Sequence, residues 1–228
     1  MSQKIVIIAA GGTGSRLNAN LPKQYMLLNE RPVLMHTIEA FVGITDKIVV
    51  ALHPNMVDYW LELCACYNFE IPHELVKGGE TRFQSVKNSI LYLHNLLTEN
   101  IFGQALIAIH DAARPLVDRE LIKQSFNQAQ KGINVTLAVK STNSIRIGDI
   151  NTSVSINRDT VWQIQTPQTF PADILKKAYQ QEESPLFTDD CSVVEKLGYS
   201  IHLLESSNKN IKLTFPEDFK IAQIYLNN

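Results

Sequence analysis

"IVIIAAGGTGSR", residues 5–16, decides the architecture. Its apolar half, Ile5 to Ala10, has strand length and no polar alternation, which suits a strand buried on both faces. The glycines at 11, 12 and 14 then stop it without opening an obvious helix. Working outward, the same rhythm recurs. Pro32 opens a helical pattern with Leu34, Ile38 and Phe41 on one face, and Gly43 closes it. A strand over Ile48–Leu52 follows, broken by His53-Pro54, and then a helix through Met56, Tyr59, Trp60 and Leu63. Glu74–Lys77 reads as a strand, Phe83, Val86, Ile90, Leu93 and Leu97 as one stripe of a long helix, and Ala105–His110 as another buried strand, after which Asp118 can cap a helix. Parallel neighbours need crossover connections, so this alternation predicts a three-layer α/β sandwich around a mostly parallel, Rossmann-like sheet. Ligands then belong at the carboxyl ends of the strands.

After Val139 the pattern changes. "IRIGDINTSVSIN" (145–157) reads as a hairpin turning near Gly148-Asp149, in an arm over 140–160 with too few apolar residues to fold alone. The arm is expected to protrude and pack on a second copy of the chain, giving a homodimer. Beyond "NRDTVWQIQTPQTF" (157–170), read as an irregular segment, come helices at Pro171–Gln181 and Asp189–Leu197, a strand at Tyr199–Leu204, a short strand at Asn210–Thr214, and a helix begun by "PED" (216–218). Nothing resembles a linker, so residues 1–228 are expected to form a single domain with the arm as a subdomain.

The composition narrows the function. At 228 residues, 45% hydrophobic and 19% charged, the chain suits a globular protein with a sizeable core. A net charge of −2 argues against nucleic acid as a partner, so any anion site is local. The first apolar run is too short for a signal-peptide core and no stretch suits a membrane span, which leads to the expectation of a cytoplasmic protein. Cys64, Cys66 and Cys191 fit neither a disulfide framework nor a zinc site, and are expected to be buried thiols. The six histidines share no ligand spacing and read as structural or surface residues.

The opening loop matches neither G-x-G-x-x-G, because Leu17 stands at the third glycine, nor the P-loop, because no Gly-Lys-Ser/Thr occurs. What remains is a run of glycines, Gly11, Gly12 and Gly14, whose unhindered backbone N–H groups can turn toward an anion, followed by Arg16 and, behind Pro22, Lys23. A triphosphate suits it. "GGETRFQSV" (78–86) places Gly79, Arg82 and Ser85 at the start of the long helix, a second place for a base or phosphate. "HDAARP" (110–115) projects Asp111 and Arg114 from the ligand edge of the sheet.

AAGGTGSR…PKQY, GGETRFQSV, HDAARP, NRDTVWQIQTPQTF, TDD (188–190) and NIKLTFPED (210–218), in this order, resemble the 2-C-methyl-D-erythritol 4-phosphate cytidylyltransferase family, a group of nucleotidyltransferases. The resemblance implies that CTP and methylerythritol phosphate are the substrates, with Mg²⁺ assisting. It implies catalytic roles for Arg16, Lys23, Arg158 and Lys212, and an acceptor pocket of Asp111, Arg114, Thr142, Arg158, Thr188 and Lys212, with Arg158 serving the neighbouring subunit. The nucleotide would meet Ala10 to Ser15, Gly79, Arg82, Ser85 and Asp111. Ser141 stands where the family has an aspartate, which leaves the register around Thr142 open. Two alternatives stay open as well: a ribitol 5-phosphate cytidylyltransferase, sharing the loop, "DAARP" and "TPQ", and a nucleotide-binding regulator that has lost the chemistry.

Overall fold

The computed structural model describes residues 2–12 and 21–227. The chain begins with β1 (Lys4–Ala10), a small ribbon of β2 (Leu27–Leu28) and β3 (Arg31–Pro32), α1 (Val33–Phe41), β4 (Lys47–Leu52), α2 (Val57–Cys66), β5 (Glu74–Lys77) and α3 (Arg82–Leu96). It continues through α4 (Glu99–Gln104), β6 (Leu106–Asp111), α5 (Arg119–Ala129) and β7 (Val135–Lys140) to the arm, β8 (Ile145–Gly148) and β9 (Ser153–Ile156). The last part holds β10 (Trp162–Pro171), α6 (Ala172–Ala178), α7 (Asp190–Glu195), β11 (His202–Glu205) and α8 (Pro216–Leu226). Seven strands form one sheet in the order β11-β7-β10-β6-β1-β4-β5, with helices on both faces.

β1 sits between β4 and β6, parallel to both, and its residues alternate between two cores. Val6 and Ile8 join Leu34, Ile38, Phe41, Trp60 and Phe126 on one side, and Ile5 and Ile7 join Phe83, Val86, Ile90, Leu93 and Phe170 on the other. That is why the run shows no polar alternation. Each such fully buried side chain is worth about 1.5–3 kcal/mol. The helices start where the caps are: Thr81 Oγ1 accepts from Gln84 N (3.1 Å), and Asp118 Oδ1 from Glu120 N (2.7 Å).

Three expectations are corrected. "WQIQTPQTFP" is no irregular segment but β10, inserted antiparallel between β6 and β7. Its polar residues are tolerated because they bond inward: Thr169 Oγ1 donates to Ser125 Oγ, Gln168 reaches Asp189 and Cys191 N, and the pairing with β7 shifts register between Ile164 and Gln168. Second, Asn210–Thr214 is no strand, for its backbone bonds go to scattered partners and not to a neighbouring strand, among them Leu213 N to Ala113 O (2.8 Å), Arg114 Nη1 to Asn210 O (2.8 Å) and Thr214 N to Asp218 Oδ2 (2.7 Å). Third, only Cys191 is a buried thiol; Cys64 is half-buried and Cys66, at the end of α2, is exposed.

The arm forms its own two-stranded sheet, with Ile145 opposite Ile156 and Gly148 opposite Ser153. Gly148 has φ +143°, and a Cβ there would lie 2.1 Å from Thr152 O, so the turn requires glycine. Ile147, Ile150 and Val154 are exposed.

Candidate active site

The carboxyl end of β1 is tied to the segment carrying Lys23 by a side chain the sequence motifs leave without a role. Gln24, buried, donates through Nε2 to Ala10 O (2.8 Å) and Gly12 O (3.0 Å). Tyr25 beside it is locked in the core against Tyr59 and Trp60, and burial pushes its pKa well above the ordinary phenol value. Lys23 is thereby held in a short 3₁₀ turn facing the glycine end of β1. Thr13, Gly14, Ser15 and Arg16 lie outside the described residues.

At the start of α3, Ser85 Oγ accepts from Gly79 N (3.1 Å) and donates to Thr81 O (2.9 Å), folding the 78–81 loop over the helix end. A Cβ on Gly79 would come within 2.3 Å of Gln84 Cβ, so the loop closes only with glycine there. Arg82, expected from the sequence to meet the nucleotide, lines the cleft and is ion-paired there. Its Nη1 and Nη2 donate to Asp190 Oδ1 (2.8 Å) and Oδ2 (2.6 Å), and its Nε lies 3.5 Å from Asp111 Oδ1. Asp190 is fully buried and also accepts from Tyr179 OH (2.5 Å). Burial disfavours the Arg82 cation, but Asp190 and Asp111 outweigh that and hold its pKa well above the ordinary value. Arg82 lines the cleft with most of its fork already engaged, and its position is set by Asp190 of "TDD".

Asp111, at the end of β6, gathers cations from three segments. Besides Arg82, Oδ2 receives Arg114 Nε (3.2 Å) and Lys212 Nζ (3.0 Å). Burial would raise the Asp111 pKa; Arg82, Lys212 and Arg114 overcome it and hold the carboxyl far below the usual range. Its neighbour His110 is buried within the sheet layer. Nε2 meets Arg114 O (3.0 Å), a carbonyl that can only accept, so Nε2 carries the hydrogen and Nδ1 accepts from Thr166 Oγ1 (3.0 Å). Thr166 Oγ1 in turn accepts from Asp111 N (3.0 Å). Burial pushes the His110 pKa down to about 4, so it is neutral at physiological pH.

These pieces line one cleft of about 310 Å³, with Ala10, Gly11 and Gly12 on one wall, Gly79 and Ser85 on another, and Lys23, Arg82, Asp111 and Lys212 around its floor and rim. Arg114 stands behind Asp111, buried, and is not on the cleft wall. Thr142, Arg158 and Thr188 are exposed and do not reach the cleft within one chain, although Arg158 Nη1 does donate to Thr142 O (3.1 Å), joining those two in the arm. Glu80 was not singled out by sequence and lines the rim. Its position beside Gly79 was the available signal.

A mostly parallel α/β sheet with a glycine-walled, cation-ringed cleft at the carboxyl ends of β1, β5 and β6 is the architecture of a nucleotidyltransferase. Residues 4–228 match the family model described as "IspD: 2-C-methyl-D-erythritol 4-phosphate cytidylyltransferase", and the chain belongs to that family. It is 43% identical over 226 residues to the 2-C-methyl-D-erythritol 4-phosphate cytidylyltransferase of Azobacteroides pseudotrichonymphae, covering 98% of each chain. Among solved structures, it resembles the Francisella tularensis enzyme of the same name at TM-score 0.76 and 31% identity (98% of this chain, 99% of that one). The 4-diphosphocytidyl-2C-methyl-D-erythritol synthase of Anaerococcus prevotii superposes at TM-score 0.81 and 26% identity (100% and 97%).

Proposed function

We propose that the chain transfers the cytidylyl group of CTP to 2-C-methyl-D-erythritol 4-phosphate, giving 4-diphosphocytidyl-2-C-methyl-D-erythritol and pyrophosphate in isoprenoid biosynthesis. The observation that carries this reading is the cation-ringed cleft in a chain that matches the family over residues 4–228. A phosphate oxygen of the acceptor attacks the α-phosphorus of CTP; the new P–O bond forms as the bond to the β-phosphate bridging oxygen breaks, and that oxygen leaves with pyrophosphate. A phosphate monoester, with its second pKa near 6, is already an oxyanion, so no protein base is required. This agrees with a cleft whose wall carries no histidine among the described residues.

Lys23, with Arg16, holds the triphosphate and neutralises charge on the departing pyrophosphate, while Lys212 holds the acceptor's phosphate. Gly11, Gly12, Gly79 and Ser85 supply the close wall for the nucleoside. Among the described residues no cluster of three or more His, Cys, Asp or Glu side chains offers a metal cage. Asp111, whose Oδ1 meets only Arg82 Nε at 3.5 Å among the described residues, is the carboxylate of the cleft that would help hold a Mg²⁺ brought in with the triphosphate. When bound, the ion spreads the charge of the phosphate oxygens.

The exposed Ile147, Ile150 and Val154 support an arm that packs on a second copy and delivers Arg158 to that copy's cleft. No described helix is long and apolar enough to cross a membrane. The cytoplasm, where CTP is made, is the proposed location. The test is pyrophosphate release from CTP with methylerythritol phosphate and with ribitol 5-phosphate in parallel. Brisk turnover with the first is expected; turnover with ribitol phosphate alone, or with neither acceptor, refutes the proposal.

A further inference from the structure

The loop that brings Lys212 to Asp111 has no sheet pairing to hold it, so something else must set its place. The register shift in β10 between Ile164 and Gln168 takes Gln165 and Thr166 out of the ladder with β7, and pairing with β6 begins only at Gln168. Bulges of this kind re-aim side chains beside active sites. Gln165, buried, donates through Nε2 to Ser207 O (3.3 Å), which fixes its Oε1 toward Asn210. Asn210, also buried, gives both amide hydrogens away, to Gln165 Oε1 (3.0 Å) and Thr166 O (2.9 Å). Its backbone carbonyl receives Arg114 Nη1 (2.8 Å), and Arg114 is the residue whose Nε holds Asp111. Asn210 Oδ1, by contrast, is buried with no partner among the described residues. The side chain is used as a donor.

We infer that Asn210 and Gln165 are positioning residues: together they clasp the 206–212 loop onto the bulge of β10 and so fix Lys212 beside Asp111 and Arg114. The clasp itself rests on hydrogen bonds alone; its consequence for catalysis rests on the acceptor-phosphate role proposed for Lys212. Neither residue touches the cleft wall, so both act through Lys212 and Arg114.

Asn210→Asp keeps the size and the oxygen but removes both donors, and sets a carboxylate against two carbonyl oxygens. Acylation of Lys212 by an amine-reactive reagent, followed by mass spectrometry with Lys220 as the internal reference, reads the clasp without any substrate. Release of the loop is expected to raise the Lys212 rate about tenfold, the equilibrium change that one or two net hydrogen bonds supply. The KM for the acceptor should rise by a similar factor while the KM for CTP stays within about twofold. A merely structural role would lower the melting temperature and leave the Lys212 rate and the acceptor KM unchanged, which overturns the inference. A faster Lys212 with an unchanged acceptor KM upholds the clasp and removes the acceptor role from Lys212. Should Asn210→Asp not fold, Gln165→Met, which keeps the length and drops Oε1, is read by the same two measurements, and an unchanged Lys212 rate there overturns the inference equally.

Discussion

Acidification should weaken this fold through one side chain, His110. In the unfolded chain its imidazole takes a proton at the ordinary value of 6.5, whereas burial in the sheet layer holds the folded pKa down to about 4. The unfolded state therefore binds more protons between those values, and stability falls as pH falls. A gap of about 2.5 pH units at ~1.36 kcal/mol each gives a loss of roughly 3 kcal/mol, a large share of a typical folding free energy. Asp111 and the guanidinium groups of Arg114 and Arg82 face the imidazole, and their opposing charges are secondary to burial. The Asp111 carboxyl, held low by its cations, begins to cost stability only below its own unfolded value of 3.8, beneath the His110 window. Urea unfolding of wild type and His110→Gln from pH 7 to pH 4.5 isolates the effect. Wild type should lose most of that amount across the range, and the variant, less stable at pH 7, should show a nearly flat profile. Equal slopes for both proteins would refute the reasoning.

Removing Lys23 should cost about 10²–10³ in turnover, as loss of one preorganised donor typically does, with the circular dichroism spectrum unchanged; the same is expected for Arg16→Ala, and wild-type turnover in either contradicts the phosphate-holding role. If Arg158 serves the second copy, Arg158→Ala and Lys212→Ala, each inactive alone, should recover activity when mixed and reassociated, to about a quarter of the wild-type sites in a random twofold pair. No recovery in a verified mixed dimer argues that both residues serve one chain. Gly148→Ala forces a Cβ to within 2.1 Å of Thr152 O at φ +143°, so the arm turn should open and sedimentation should show a weaker self-association, with the melting of the main sheet little changed.

The parallel rhythm was legible because β1, β4 and β6 bury both faces and so carry unbroken apolar runs. β10 was not, for two reasons. Pro167 interrupts it, and its inward residues, Gln165, Thr166, Gln168 and Thr169, are polar groups satisfied by partners far away in sequence. The same distance hid the fate of Arg82. A motif at a helix start suggests a free cation, and only the folded chain shows Asp190, 108 residues away, taking its fork. The extended look of Asn210–Thr214 was read as ladder pairing, because sequence gives extension but not the partner that enforces it. Lys23 and Lys212, two of the cations chosen by resemblance, do meet in one cleft; Arg158 and Thr142 meet each other instead, in the arm.

Asp111 also bears on how often the enzyme can cycle. Arg82 and Lys212, the two of its cations on the cleft wall, already share a resident anion, so if the acceptor phosphate docks on Lys212 as proposed, it must compete for a contact in use rather than fall into an unopposed positive well. On that reading the carboxylate keeps those side chains aimed between turnovers and would cap the affinity with which a phosphorylated molecule is retained, spent product included.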